Sequence, residues 1–245
     1  MVEVSIVVPA HNEDANLPKL VPRLRELAAK LGDAEIILVD DHSVDNTPQL
    51  VDEYEHIWPG VRAIHRRGGN RGMGNTLREG TAAAKGRFIL WTMADMTDDL
   101  QKAPEMLQRL RDGSDMVFAS RYMPGGSAGD LEPLKRFASW GVGFVSRLSL
   151  GMRVHDVTNA YRMFRREVFD TVRPESGDYA ISPEFAFKAQ LAGYRLDEVP
   201  TTHTRRKHGV DNLRMFKMAR RYFGVFLKAN LVWRFQMRGL AHRVS

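Results

Sequence analysis

Along the first half of the chain, short unbroken apolar runs alternate with segments of helical period. Val4-Ser-Ile-Val-Val8, Ile36-Ile-Leu-Val39, Val61–His65, Phe88-Ile-Leu-Trp-Thr92 and Met116-Val-Phe-Ala119 read as strands. Between the first two, Leu17, Leu20, Leu24, Leu27 and Leu31 mark a helix over Asn16–Leu31. Further helices are expected near Pro48–His56, Met73–Lys85 and Lys102–Arg111, with Pro48 suited to a first helical turn. Continuous apolar strands are those of a parallel sheet covered on both faces, and repeated βα units impose right-handed crossovers. The expected fold class is therefore α/β, a Rossmann-like, mostly parallel sheet flanked by helices, spanning 1–212. The middle is less regular: Pro124–Gly129 is a loop, Leu134–Leu150 reads as a helix and Leu196–Val199 as a late strand. From Leu213 to about Phe235 the helical period returns, so 213–245 reads as a C-terminal helical segment.

Three of the strands run into acids. The first leads to Pro9-Ala-His11-Asn-Glu13, the second to Asp40-Asp41-His-Ser-Val-Asp45, and the Phe88 strand to Met93-Ala94-Asp95-Met-Thr97-Asp98-Asp99. Open α/β sheets bind ligands beyond the carboxyl ends of their strands, so these segments are expected to share one crevice. So many carboxylates call for a divalent metal, ribose hydroxyls or the imide edge of a base. Asp45 or Ser43 capping a helix near Thr47 accounts for one polar residue there, but not for the pair at the strand terminus, which makes Asp41 a functional candidate. Asp95 is the metal candidate. Asp98 and Asp99 read equally as further ligands or as first-turn acids favoured by a helix dipole. Gly68-Gly-Asn-Arg71-Gly-Met-Gly74 superficially resembles a dinucleotide fingerprint, but it follows the third strand, and no suitably placed acid ends the next strand about 20 residues on, since Met93 and Asp95 belong to a different motif. Glycines opening a helix beside Arg71 suit a phosphate instead; a flexible turn is the plain alternative.

Charge changes the picture at the C-terminus. The net charge is +6, yet residues 205–245 contain eleven Lys/Arg and one acid, which leaves the rest of the chain at −4. A basic end on an acidic body points to a polyanionic surface. With no cysteine, disulfides and thiolate metal sites are excluded. Met1-Val-Glu-Val-Ser runs straight into a strand, so no signal peptide is expected, and no run approaches the roughly 20 apolar residues of a membrane span.

Taken in order, Val-Val-Pro-Ala-His-Asn-Glu13, Leu-Val-Asp-Asp-His-Ser-Val-Asp45, Asn70-Arg-Gly-Met-Gly74, Phe-Ala-Ser-Arg-Tyr122 with Gly125-Gly126, Asp156-Val-Thr-Asn-Ala-Tyr-Arg162, Glu198-Val-Pro200 and Arg206-Lys-His-Gly209 resemble a family 2 glycosyltransferase of GT-A fold, of the dolichol-phosphate mannose synthase group. The resemblance covers roughly residues 4–215. It implies an inverting transfer of a sugar, mannose or glucose, from a nucleotide-diphosphate sugar to a polyprenyl or dolichyl monophosphate. It places Pro9, His11, Glu13 and Asp41 around the base and ribose, with Arg71 and Asn212 completing the donor set. Ala94 and Asp95 fall by the metal and diphosphate, and Asp95, Thr97 and Asp98 become ligands of Mg2+ or Mn2+. Arg121 and Arg206 face phosphates, and Arg121, Arg136 and Ser139 hold the acceptor phosphate; Asp95, Arg121 and Arg206 are the catalytic candidates. The chain departs from the family pattern in three places: Met93 stands where the strand-end motif usually has Asp, Thr97 where Gln is frequent, and the late motif lacks its usual Lys. Asp156 and Glu184 read either as contacts to sugar hydroxyls or as capping and surface carboxylates.

In the tail, Met215, Phe216, Ala219, Tyr222, Phe223, Phe226, Ala229, Asn230 and Trp233 share one helical face, opposite Arg214, Lys217, Arg220, Arg221, Lys228 and Arg234. That pattern fits a helix lying in an anionic membrane interface, and so a peripheral protein at the cytoplasmic face of a membrane. A helix packed on its own domain is the other reading. A soluble hydroxyl acceptor and a catalytically weakened nucleotide-sugar binder are the alternative functions; nucleic-acid binding is not expected, because no reading module accompanies the basic tail.

Overall fold

The computed structural model describes residues 2–204, 215–237 and 240; Arg206, Asn212 and Arg214 lie outside them. The strands are β1 (Val4–Ala10), β2 (Ala34–Asp40), β3 (Val61–His65), β4 (Phe88–Trp91), β5 (Met116–Ser120), β6 (Arg162–Arg165) and β7 (Leu196–Pro200). They form one sheet in the order β3-β2-β1-β4-β6-β5-β7. Only β6 runs against its neighbours, β4 and β5. The carboxyl ends of the other six strands and the amino end of β6 therefore meet along one edge.

Helices α1 (Leu17–Leu31), α2 (Thr47–Ile57) and α4 (Ala103–Arg111) cover one face; α3 (Met73–Ala83), α6 (Arg166–Val172) and α7 (Ile181–Ala192) cover the other. Successive residues of one strand serve opposite layers: Ile6 and Val8 pack toward α1, Val7 toward α3. That is the two-sided burial the continuous apolar runs predict. Trp91 anchors the second layer, edge-on to Phe164 and tilted against Phe185, with its indole N–H donated to the Thr81 hydroxyl at 2.9 Å.

The sequence pattern does not reveal β6, α6 or α7. Strand β6 is four residues long and flanked by arginines. Helix α7 is buried nearly all round and so lacks the one-sided stripe that marks a surface helix. Its Glu184 and Lys188 pair internally at 2.8 Å, and Glu184 also accepts the amides of Glu175 and Ser176, which makes it a structural carboxylate with no part in sugar contact.

Helices α5 (Pro133–Leu150) and α8 (Met215–Lys228) pack together on the α7 side, and α8 continues through a π-turn (Ala229–Trp233) into α9 (Arg234–Gln236). Val225, Ala229 and Trp233 are buried in the second core layer, with Tyr222 and Phe226 packed against it. The face the period assigns to a membrane is thus largely turned onto the protein. Phe223, Leu227, Leu231 and Phe235 instead point outward, because this helix is apolar on two sides. Among the described residues, no helix is long and apolar enough to cross a membrane.

The Gly68–Gly74 loop is explained by close packing. A Cβ on Gly72 would lie 2.2 Å from the Gly177 carbonyl oxygen, and one on Gly74 2.1 Å from that of Ser176. The start of α3 thus rests directly on the 176–178 backbone. Gly74→Ala is expected to lower stability by roughly 2 kcal/mol or more, because the clash is with backbone and no side chain can yield. Urea or thermal unfolding checks this, with Gly141→Ala, which meets nothing within 4 Å, as the neutral control.

Candidate active site

A cavity of about 950 Å3 opens along the sheet edge where the strand ends meet. Strand β1 contributes Pro9, His11 and Glu13 to its lining, and β2 contributes Asp41. The amino end of α3 brings Arg71, β4 brings Met93, Asp95, Thr97 and Asp98, and β5 brings Arg121. Thr158 and Asn159 precede β6, His203 follows β7, and Met218 and Arg221 reach in from α8.

At the β1–β2 end the groups interlock. The His11 imidazole sits between the Asp41 carbonyl oxygen, 2.9 Å from Nδ1, and the Arg71 guanidinium, 2.8 Å from Nε2. The Asp41 carboxylate accepts the Gly72 amide at 2.8 Å and pairs with Arg66. Burial pushes Asp41 up, but Gly72, His42 and Arg66 together outweigh it and hold the carboxyl below its usual range. The Gly72 amide at the start of α3 is therefore occupied by Asp41, while Arg71 of the same loop faces the cavity. Asp45 caps by accepting the Thr47 amide at 2.9 Å.

The opposite end is built around Arg121. Asp156, with no exposed surface, accepts Arg121 Nε at 2.6 Å and Nη2 at 2.9 Å; Nη2 also donates to the Thr158 hydroxyl. Burial alone would lower the Arg121 pKa, but Asp156 more than compensates and keeps the guanidinium charged. Nη1 makes no hydrogen bond to any described residue. Asp156 is thus consumed in holding Arg121 and contacts no sugar. Glu198 of β7 steadies the loop by accepting the amides of His155 and Asp156. Arg162, fully buried, donates to the carbonyls of Ser182, Val157 and Asn159.

A family model for glycosyl transferase family 2 matches residues 5–173. The chain belongs to that family. It is 32% identical over 230 residues to polyprenol monophosphomannose synthase of Mycolicibacterium smegmatis, covering 87% of this chain and 84% of that protein. It is 28% identical over 219 residues to undecaprenyl-phosphate mannosyltransferase of Micrococcus luteus, covering 84% and 85%. The fold matches a solved structure of glucosyl-3-phosphoglycerate synthase from Mycobacterium tuberculosis in complex with Mn2+, UDP-glucose and phosphoglyceric acid. That match has a TM-score of 0.69 at 20% identity and covers 93% of this chain and 79% of the other.

In this family 2 glycosyltransferase the acids after β4 are arranged unequally. The Thr97 hydroxyl donates to Asp95 at 2.8 Å. Asp98 turns back onto β4, accepting the Thr92 hydroxyl and the Met93 amide, both at 2.9 Å. Asp99 caps the turn at Leu100–Lys102 by accepting the Gln101 amide and does not line the cavity. Ala94 is buried in the core layer beside α1. Arg136 and Ser139 are not among the residues that line the cavity: Ser139 meets the Tyr122 hydroxyl, and Arg136 donates to the Gly129 carbonyl. His203 is the residue the sequence reading misses. Burial and then Arg121 push its pKa down, so a neutral imidazole faces the cavity that holds Asp95.

This donor set suits a hard divalent cation. Asp98 is only partly compensated: burial, followed by the charge of Asp95, pushes it up to about 7 against the opposing effect of its hydrogen bonds and of Arg121. Among the described residues no three acids or histidines gather into a cage. The arrangement fits an ion that takes its other ligands from phosphates.

For the metal-free protein a pH dependence follows. Between about pH 4 and pH 7 folded Asp98 keeps a proton that the unfolded chain has lost, so its contribution to stability falls as pH rises through that window. Asp98→Asn is expected to raise the melting temperature by about 3 °C or more at pH 8 and by little at pH 4. Calorimetry in EDTA at the two pH values measures the difference. Asp156→Asn, which strips the charge opposing Arg121, is expected to cost about 3–5 kcal/mol in denaturant titration.

Proposed function

We propose that this chain transfers mannose from a nucleotide-diphosphate mannose to a polyprenyl monophosphate. The carrying observation is the 32% identity with polyprenol monophosphomannose synthase over 87% of the chain. The cavity chemistry agrees with that reading. A phosphate monoester is already anionic at neutral pH and needs no general base to attack a sugar. No carboxylate in the cavity has to take that role: Asp41 is tied to Arg66 and Gly72, and Asp98 is bound to the end of β4.

The catalytic burden is then alignment and charge. An acceptor phosphate oxygen bonds to the anomeric carbon as the bond from that carbon to the donor diphosphate breaks, the nucleoside diphosphate leaves, and the configuration inverts. His11, Glu13 and Asp41 hold the nucleoside end, and Arg71 approaches its phosphates. Arg121, gripped on one side by Asp156, offers Nη1 to a phosphate. Asp95, with Thr97, Asp98 and His203, would hold a Mg2+ or Mn2+, which would supply positive charge to the departing diphosphate. Residues 1–212 form the catalytic unit, with Arg206 and Asn212 completing the phosphate and donor contacts. The segment 213–245 rests at the cytoplasmic face of the membrane that carries the acceptor.

The test is a donor screen with GDP-mannose, UDP-glucose and UDP-N-acetylglucosamine, with and without polyprenyl phosphate, reading lipid-linked sugar. Lipid-dependent transfer from GDP-mannose is expected; transfer only to soluble hydroxyl acceptors sinks the proposal. EDTA should abolish the activity and Mn2+ restore it. Asp95→Ala should lower kcat by about 100-fold or more, with donor binding measured separately by calorimetry.

A further inference from the structure

We infer that a second cavity, beside α3 and apart from the first, binds a small phosphorylated anion, and that its occupancy strengthens donor binding. This cavity, of about 610 Å3, shares no lining residue with the first. Its walls come from the residue after β3, from α3, and from the end of α6 with the chain that follows it. Three arginines line it: Arg66, Arg78 and Arg173. Arg66 is buried and committed, with Nε donated to Glu79 at 3.0 Å and the guanidinium paired with Asp41. The other two are not. Arg78 donates Nη2 to the Asn75 carbonyl oxygen at 2.6 Å, but its Nε is sealed from water with no acceptor among the described residues. Arg173 spends Nε on the Asp170 backbone carbonyl at 3.1 Å, and no described carboxylate pairs with its guanidinium or with that of Arg78. A buried donor left unbonded is costly, so a ligand that supplies the acceptor is favoured.

The lining sets the ligand's chemistry. Three guanidiniums face two carboxylates, of which Glu79 is already bonded to Arg66 and Asp170 is exposed. Guanidiniums bind phosphate oxygens in pairs, and a phosphate group has acceptors enough to serve Arg78 and Arg173 together. The rest of the wall is apolar, Ala82, Phe169 and Pro174, which strengthens each charged contact by keeping water back. Two hydrogen-bond chains lead from this cavity to the first. In one, Arg78 holds Asn75, whose Nδ2 donates to the Asn70 carbonyl at 2.9 Å. In the other, Arg66 donates Nη1 to that same carbonyl at 3.3 Å and Nη2 to that of Gly68 at 3.4 Å, while also gripping Asp41. Both chains end one residue before Arg71, which faces the first cavity. An anion that fixes Arg78 and Arg66 therefore holds the Gly68–Arg71 loop and Asp41 in place before the donor arrives. Ordering done by one ligand lowers the cost to the other, and linkage makes the effect reciprocal. The site stands on its own residues; only its coupling to the donor rests on the reading proposed above.

The experiment uses the full chain, inorganic phosphate as the probe and sodium chloride at matched ionic strength as the control. In the first readout, phosphate is titrated by calorimetry into the parent protein, into Arg78→Ala/Arg173→Ala and into Arg173→Glu. Both variants are expected to lose about 10-fold or more in phosphate affinity. Arg173 is exposed, so Arg173→Glu keeps near-parental melting and serves even where the double variant folds poorly. Phosphate binding of parental strength in Arg173→Glu overturns the site, because the anion then sits elsewhere, in the first cavity. In the second readout, GDP-mannose affinity is measured with and without phosphate. Phosphate is expected to tighten it about 5-fold in the parent and to leave it unchanged in Arg173→Glu. Donor affinity that phosphate leaves unchanged or weakens in the parent overturns the coupling. Phosphate binding that depends on Arg173 in a protein that binds no GDP-mannose leaves the site standing and removes the donor reading, so the two failures are distinguishable.

Discussion

The Asp156–Arg121 pair is the contact on which the β5–β6 end of the cavity depends. Three separate stretches of chain meet there: the end of β5 supplies Arg121, the approach to β6 supplies Asp156 and Thr158, and β7 supplies Glu198 beneath them. A buried pair of opposite charges is weak as a source of net stability but severe in what it forbids, since either partner alone is an uncompensated charge away from water. The guanidinium therefore has one orientation, two nitrogens held and a third spare. The antiparallel insertion of β6 makes this possible, because it sends the Asp156–Ala160 loop to the same edge as the carboxyl ends of its neighbours.

The two halves of the cavity divide the chemistry. The β1–β2 end is a dense network in which His11, Arg71, Asp41 and Arg66 fix one another before any ligand arrives. That end is preorganised, its shape and charges set in advance. The β4 end is the reverse, two carboxylates near one another with too little positive charge and a neutral imidazole across the cavity. That end carries unbalanced negative charge, with Met93 in place of a further acid.

Legibility followed locality. The first five strands and their helices could be read because each is a continuous apolar run or an amphipathic repeat, and the three acidic segments could be placed together because parallel strands end on one side. His203 obeys the same logic at the end of β7, but one short late strand, Leu196–Pro200, gives no sign of which neighbour it joins. Strand β6 and helix α7 stayed hidden because one is too short and the other too uniformly buried to show a period. The role of Asp156 was undecidable, since its partner lies 35 residues away. The tail leaves both of its readings open from sequence: a helix apolar on two sides shows one broad apolar sector, and only packing decides which part faces inward.

The π-turn at Ala229–Trp233 bears on how that two-sided helix keeps both allegiances. An α-helix advances 3.6 residues per turn, so a stripe chosen to fit the core drifts around the cylinder over several turns. One wide turn resets the phase. Ala229 and Trp233 can then remain in the core while Leu231 and Phe235 remain outside, and Arg234 can still reach the end of α5. In evolutionary terms the wide turn behaves like the scar of a one-residue insertion. A single deletion there would restore a uniform helix and rotate everything beyond it by about 100°, exchanging the residues offered to the protein with those offered to its surroundings.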